Sequence, residues 1–405
     1  MATIQASPHP LVYKVRDPAA AGLSGPAAAP RGGIGIRIYA RAMEGMQKEA
    51  LVWYAPAGTV WRLVSDEGPY LNGTDLAPFP LAFFTTGMVS SYVAEIVALA
   101  RQRGIALGSV RVTIDNQYGM EGSAFHGTMT GSAMPVELSL EHEGDLAPGL
   151  ALELASQAIG ASPARALAAD KLANVFSLFN GGRRLDVTKV AAHPKALGLG
   201  DEALFERAQP AVADSFAPEI IRKLEDAKAV VGAEGGAGSS LKSEQKRTLH
   251  VRGVCTLRED GVKRIKVQLF KPIGSTFEFL SDDPPVLGGG DRAPDGLSYL
   301  SAGIAFCYLT QIGRYATIRK LRLDEYRLIQ DTGFSLPGAS GQTGKAGEAA
   351  PVETHVTLRT GEDDEVANEI VRMGEQTCFL HATCRSNVQT RIRVGRLSGA
   401  QASGS

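Results

Sequence analysis

Residues 65–100, SDEGPYLNGTDLAPFPLAFFTTGMVSSYVAEIVALA, recur in altered form at 281–316 as SDDPPVLGGGDRAPDGLSYLSAGIAFCYLTQIGRYA. Ser65 pairs with Ser281, Asp75 with Asp291, Pro78 with Pro294, Gly87 with Gly303 and Tyr92 with Tyr308, all at one offset (281 − 65 = 216). The same offset joins Gly45 to Gly261, Pro56 to Pro272, Gly58 to Gly274, Gly122 to Gly338 and Pro135-Val136-Glu137 to Pro351-Val352-Glu353. Roughly a hundred residues in each half align without a gap, whereas solenoid repeats have periods of about 20–50 residues. Duplication of a whole domain is the reading that follows.

Each half opens with an alternating, β-branched hairpin, IGIRIYARAM with ALVWYAP in the first and TLHVRGVCTLRED with VKRIKVQLFKP in the second. A third strand and a loop rich in Pro and Gly come next, then a long helix. These helices are predicted over about 80–104 and from Gly296 onward, and both are apolar on every side, as expected of buried helices. Further strands follow in both halves. The first half then predicts a helix near 148–159 and an apolar segment near 172–179; the second predicts DDEVANEIVRMGEQTCFLHATC as one amphipathic helix and VQTRIRV as a closing strand. Residues 186–246 have no counterpart. Within them 201–231 reads as helical, interrupted at Pro210 and Pro218, and AEGGAGSSLKSEQK reads as a flexible linker. The expected division is an arm over 1–33, a first copy over 34–185, a connector over 186–246, a second copy over 247–395 and a tail over 396–405. The fold class is α+β.

A chain of 405 residues exceeds one ordinary core, which agrees with two copies. Its 42 basic and 43 acidic residues are intermixed, so the broad basic face that nucleic acid requires is not expected. No cationic segment followed by an apolar run opens the chain, and no uninterrupted apolar run reaches the roughly 18 residues of a membrane span, so no membrane partner is predicted and the cytoplasm is the default location. Four cysteines are too few for a secreted disulfide scaffold. Gly288–Gly290 lack the spacing of a dinucleotide loop. Cys378-x2-His381-x2-Cys384 has no second ligand pair nearby, so no metal is assigned to it.

All four cysteines lie in the second half: Cys255, Cys307, Cys378 and Cys384. A thiol inside an apolar helix reads first as a packed core residue. Cys307 faces Ser91 at the repeat offset, and Cys378 follows it by 71 positions (378 − 307 = 71). If the two meet, they form a pair in which one thiolate attacks an oxidant and the other resolves the sulfenic acid as a disulfide. Cys255, opposite Tyr39, is expected in the core.

The order of elements, with Ala302-Gly303-Ile304-Ala305-Phe306-Cys307 in the central helix and Gln376-Thr377-Cys378 closing the last, resembles the OsmC/Ohr family of thiol-dependent hydroperoxide reductases. The resemblance covers 34–185 and 247–395, with Phe379 replacing the family's usual Pro. It implies antiparallel sheets wrapped around central helices and, because the family forms intertwined homodimers, a pseudo-dimer built within one chain, with further oligomerisation left open. The first copy, with Ser91 and no cysteine near Ile159 or Ser162, is a degenerate half. The implied reaction reduces an organic hydroperoxide through Cys307, with Cys378 or alternatively Cys384 resolving and an external dithiol resetting the disulfide; no metal, flavin or haem is needed. The family also uses an Arg and an acid beside the thiol. Arg258 and Asp295 are the closest matches, Asp295 standing two residues too far upstream, and Arg37 or Arg41 of the first copy are alternatives. Leu300, Ile304 and Phe306 either line an apolar substrate pocket or belong to the core. Two rival readings are a cysteine-dependent catabolic enzyme acting on another electrophilic or sulfur-containing small molecule, and a non-catalytic binding protein.

Overall fold

The computed structural model describes residues 3–26, 32–198, 201, 203–211, 217–227 and 245–397. Ile34–Ala42 shows why the hairpins form: Ile34, Ile36, Ile38 and Ala40 point into the core at full burial, and the alternate residues point outward. This strand pairs with Lys48–Tyr54, which pairs with Thr59–Ser65. In the second half Gln245–Leu257, Lys263–Lys271 and Thr276–Ser281 pair in the same way.

The two halves exchange strands. Ile34–Ala42 continues into Leu323–Phe334 and Val352–Thr360 of the second half, and the latter runs parallel to Asn174–Asn180 of the first. Gln245–Leu257 continues into Val110–Gly122 and Val136–His142 of the first half, and the latter runs parallel to Thr390–Arg396 of the second. Among the described residues the result is one nine-stranded and one eight-stranded sheet, each drawing on both halves.

Between the sheets lie two core helices, Pro80–Gln102 and Gly296–Arg319. They approach closely because each carries a glycine at the contact. A Cβ on Gly87 would stand 2.3 Å from the Gly296 carbonyl oxygen, and one on Gly303 would stand 2.7 Å from the Phe84 nitrogen. Phe83 packs on Phe279, Tyr299 and Phe306 beside this crossing. Pro80–Gln102 has the length and composition of a membrane span, yet 83% of its most apolar window is buried in the protein, so it is a core helix.

Two segments depart from the sequence expectation. Among the described residues, the stretch read as helical between 201 and 231 holds single turns at Leu204–Arg207 and Ala217–Ile220, and Ile221–Glu225 is a strand on the edge of Thr276–Ser281. An open sheet edge supplies hydrogen bonds that a short helix broken by two prolines does not. The last helix divides into Asp364–Thr377 and Phe379–Arg385. Most of the expected linker and tail lies outside the described residues. Near the N-terminus, Val12–Lys14 pairs with Thr59–Ser65, and Tyr13, Val15, Leu23, Leu204 and Phe205 cover Tyr39, Leu51, Val60 and Ile329 on the outer face of the nine-stranded sheet.

Candidate active site

Cys307 lies midway along the second core helix, 2% exposed. Cys378 is the residue at which the last helix breaks. Its extended backbone (φ −72°, ψ 116°) ends Asp364–Thr377 and starts Phe379–Arg385, and its sulfur accepts the His381 N–H at 3.5 Å. The break turns Cys378 toward the core helix, where its thiol adjoins that of Cys307. Burial and the adjoining Cys307 sulfur raise the Cys378 pKa well above the usual thiol range, which keeps it a protonated thiol. All four cysteines are free and buried.

The charge around Cys307 comes from both halves. Thr310, one turn along the core helix, donates to Glu67 Oε1 at 2.9 Å, and the Tyr70 hydroxyl donates to Glu67 Oε2 at 2.8 Å. Arg314, a further turn on, is buried and sits in the electrostatic field of Glu67, Tyr70 and the Cys307 sulfur. Lys48, at the start of a first-half strand, is fully buried and faces Glu67, Asp66 and Cys307; burial lowers its pKa. Arg247 is pulled down to about 9 by burial and by Arg314, which still leaves it cationic at neutral pH. Its guanidinium lies 6.0 Å from the Phe379 ring, next to Cys378. Tyr118 faces both sulfurs and packs on Phe379.

Of the residues predicted from sequence, Cys307 and Cys378 come together and the others take different places. Asp295 caps the core helix, accepting the N–H groups of Leu297 and Ser298, at 2.8 and 3.1 Å, and the Ser298 hydroxyl; burial raises it to about 6. Arg258 sits at a hairpin turn and pairs with Asp260 at 3.3 Å. Arg37 pairs with Asp331 at 2.6 Å, and Arg41 with Glu49 and Glu206. Leu300, Ile304 and Phe306 are fully buried in the core between the helices. Cys255 is equally buried, between Val112 and Ile265 of neighbouring strands, and burial lifts both Cys255 and Cys384 to about 12. His381 does not join Cys378 and Cys384 around a common point; its ring packs against Phe176 and Tyr308, with neither nitrogen partnered.

Sequence reasoning missed Glu67, Lys48, Arg247 and Arg314. A signal was present in the core helix, where Cys307, Thr310 and Arg314 fall on one face of an otherwise apolar segment. The partners of that face lie in the other half, and nothing local marked them.

The other core helix carries the corresponding positions without the chemistry. Ser91 hydrogen-bonds to Ser162 at 2.8 Å, and Ser162 ends Pro148–Ala161 and starts Pro163–Ala169 as Cys378 does between its own helices. Further along this helix a cavity of about 920 Å³ opens between Ala94, Ala98 and Arg101 and, opposite, Arg258, Lys263 and Asp283.

A dithiol held between two strand-exchanged sheets, with buried cations and a buried carboxylate beside it, defines an α+β protein with a candidate thiol active site. Residues 288–393, which include both thiols, match the family model described as OsmC-like protein. Among solved structures, the chain is similar to an OsmC-like hydroperoxide resistance protein from Jannaschia sp. CCS1, at 20% identity over 32% of this chain and 79% of that one, with a TM-score of 0.18. No curated protein matches.

Proposed function

We propose that this chain is a tandem-duplicated OsmC-like protein, a pseudo-dimer with one surviving site, that reduces organic hydroperoxides through Cys307 and Cys378. The observation that carries the reading is the adjoining pair of buried thiols, Cys307 lying in the electrostatic field of Lys48 and Arg314. The match of residues 288–393 to the OsmC-like family supports it at the level of the family.

Cys307 is assigned the attacking role because Lys48 and Arg314 face its sulfur, whereas burial holds Cys378 in the thiol form. The Cys307 thiolate attacks the distal peroxide oxygen, the O–O bond breaks, and the alkoxide takes a proton and leaves as the alcohol. Cys307 is left as a sulfenic acid. Cys378 then attacks that sulfur, water leaves, and the disulfide holds the two electrons that the peroxide took. An external dithiol returns them by exchange. A cytoplasmic setting is part of the same proposal, since four cysteines are too few for a secreted disulfide scaffold.

The test is a free-thiol count with peptide mapping before and after one equivalent of cumene hydroperoxide. Two thiols are expected to disappear into a Cys307–Cys378 disulfide, and Cys307→Ser is expected to abolish peroxide consumption. Survival of all four thiols would remove peroxide reduction and leave another thiol chemistry or a binding role.

A further inference from the structure

A second cluster lies away from the thiols, where the connector crosses the outer face of the nine-stranded sheet. Along Val352–Thr360, Val352, Val356 and Leu358 enter the core, so Glu353 and His355, two apart, share the opposite face. His193 follows the short strand Ala191–Ala192, its N–H donating to the Phe176 carbonyl at 2.7 Å. That contact brings its ring over the sheet. His193 Nε2 stands 3.1 Å from Glu353 Oε2, and the two histidine rings meet edge to face with centroids 4.7 Å apart. One ligand atom from each of the three residues lies within 4.8 Å of the others.

His355 supplies the decisive detail. It is 1% exposed, and its Nε2 has no hydrogen-bond partner. Its Nδ1 contacts the Ser177 hydroxyl at 2.8 Å and accepts the Leu197 N–H at 3.4 Å. An imidazole nitrogen buried without a partner is costly unless it serves as a donor to something else.

We propose that His193 Nε2, His355 Nε2 and the Glu353 carboxylate bind one divalent transition-metal ion, Zn²⁺ in the first instance. Two imidazoles and a carboxylate form a known three-ligand set for such ions, with a fourth position left for water. The outer contacts suit it. Binding through Nε2 requires the His355 proton on Nδ1, where Ser177 Oγ at 2.8 Å can accept it in place of the longer Leu197 N–H contact. His193 Nδ1 lies beside both the N–H and the carbonyl of Lys195, so the ring proton that Nε2 offers to Glu353 can pass to Nδ1 and bond that carbonyl. Glu353, with 42% of its side chain exposed, leaves the site open to solvent for the ion and its water. The bound ion pins the connector to a strand of the second half. Its ligands come from segments far apart in the chain, which is why cysteine and histidine spacing did not reveal it. The inference is independent of the chemistry at Cys307.

The test is titration of chelator-stripped, full-length protein with Co²⁺, read by visible absorption and followed by displacement with Zn²⁺. One ion per chain is expected, with d–d bands and no thiolate-to-cobalt charge transfer, and a higher melting temperature with Zn²⁺. Ser177→Ala is expected to weaken binding by about 10-fold. His193→Gln and Glu353→Gln each alter a partly exposed side chain; both are expected to retain the wild-type circular dichroism and to lose the bands. Absence of stoichiometric binding, a charge-transfer band marking cysteine ligation, or wild-type affinity in His193→Gln would each overturn the proposal.

Discussion

The hydroxyls of Ser91 and Ser162 hydrogen-bond at 2.8 Å, and each residue stands 216 positions before one member of the Cys307–Cys378 thiol pair (307 − 91 = 378 − 162 = 216). Both pairs join a core helix to a break between two shorter helices. Ala94 and Ala98 occupy the positions of Thr310 and Arg314 at the same offset, and a cavity fills the space. This correspondence favours one site in two versions, of which only one has kept its thiols and cations.

The serine pair can therefore be converted. Ser91→Cys combined with Ser162→Cys is expected to yield a second disulfide under mild oxidation, because the two hydroxyls already face each other at 2.8 Å. Mass mapping would detect it. Two reactive thiols that never cross-link would argue against the equivalence of the two sites.

Glu67 and Arg314 are buried, oppositely charged and adjacent to the thiol. Arg314→Met leaves the Glu67 carboxylate without that cation and is expected to cost about 3–5 kcal/mol in urea unfolding. Adding Glu67→Gln to that variant should recover part of the loss, since the charge it stranded is gone. Glu67→Gln alone is expected to lower kcat/KM for the hydroperoxide by about 10-fold or more if positioned charge assists the reaction. Additive stability losses in the double variant would show that the two residues do not interact.

The helix crossing depends on two missing side chains. Alanine at Gly87 or Gly303 would meet the facing helix's backbone at 2.3 and 2.7 Å, so the helices must separate. Each substitution is expected to cost at least about 1–3 kcal/mol, read from the denaturant midpoint. A change near zero would mean that the helices are not in contact there.

His381 makes a pH prediction. Burial, then Arg385, depress it to about 3, so the folded state resists its protonation while the unfolded chain accepts a proton near 6.5. Stability from this residue is complete above about pH 6.5 and is lost as pH falls toward 3, at about 1.4 kcal/mol per unit. His381→Phe suits a site walled by Phe176 and Tyr308 and should remove that dependence. Denaturant titrations of both proteins between pH 7 and 4 should show the variant gaining on the wild type as acid is added. A constant difference would mean that His381 titrates normally in the folded protein.

The sequence by itself determined the elements. Alternation in IGIRIYARA, apolar residues all round both long helices and the 216-residue offset are local patterns, and each reports a backbone period or a copied segment. The offset also set Cys307 opposite Ser91 and put the counterpart of Cys378 near Ile159 or Ser162. Tertiary structure decided what surrounds them. The last helix breaks at Cys378 because its sulfur takes a new helical N–H and its partner lies across the core. Asp295 became a helix cap rather than a charge beside the thiol because the first free N–H groups of the core helix are its nearest partners. Glu67 reaches Thr310 across 243 positions only after the sheets have exchanged strands, and His193 meets His355 only where the connector crosses the sheet. Those encounters follow from packing two amphipathic layers around buried helices, and no spacing along the chain encodes them.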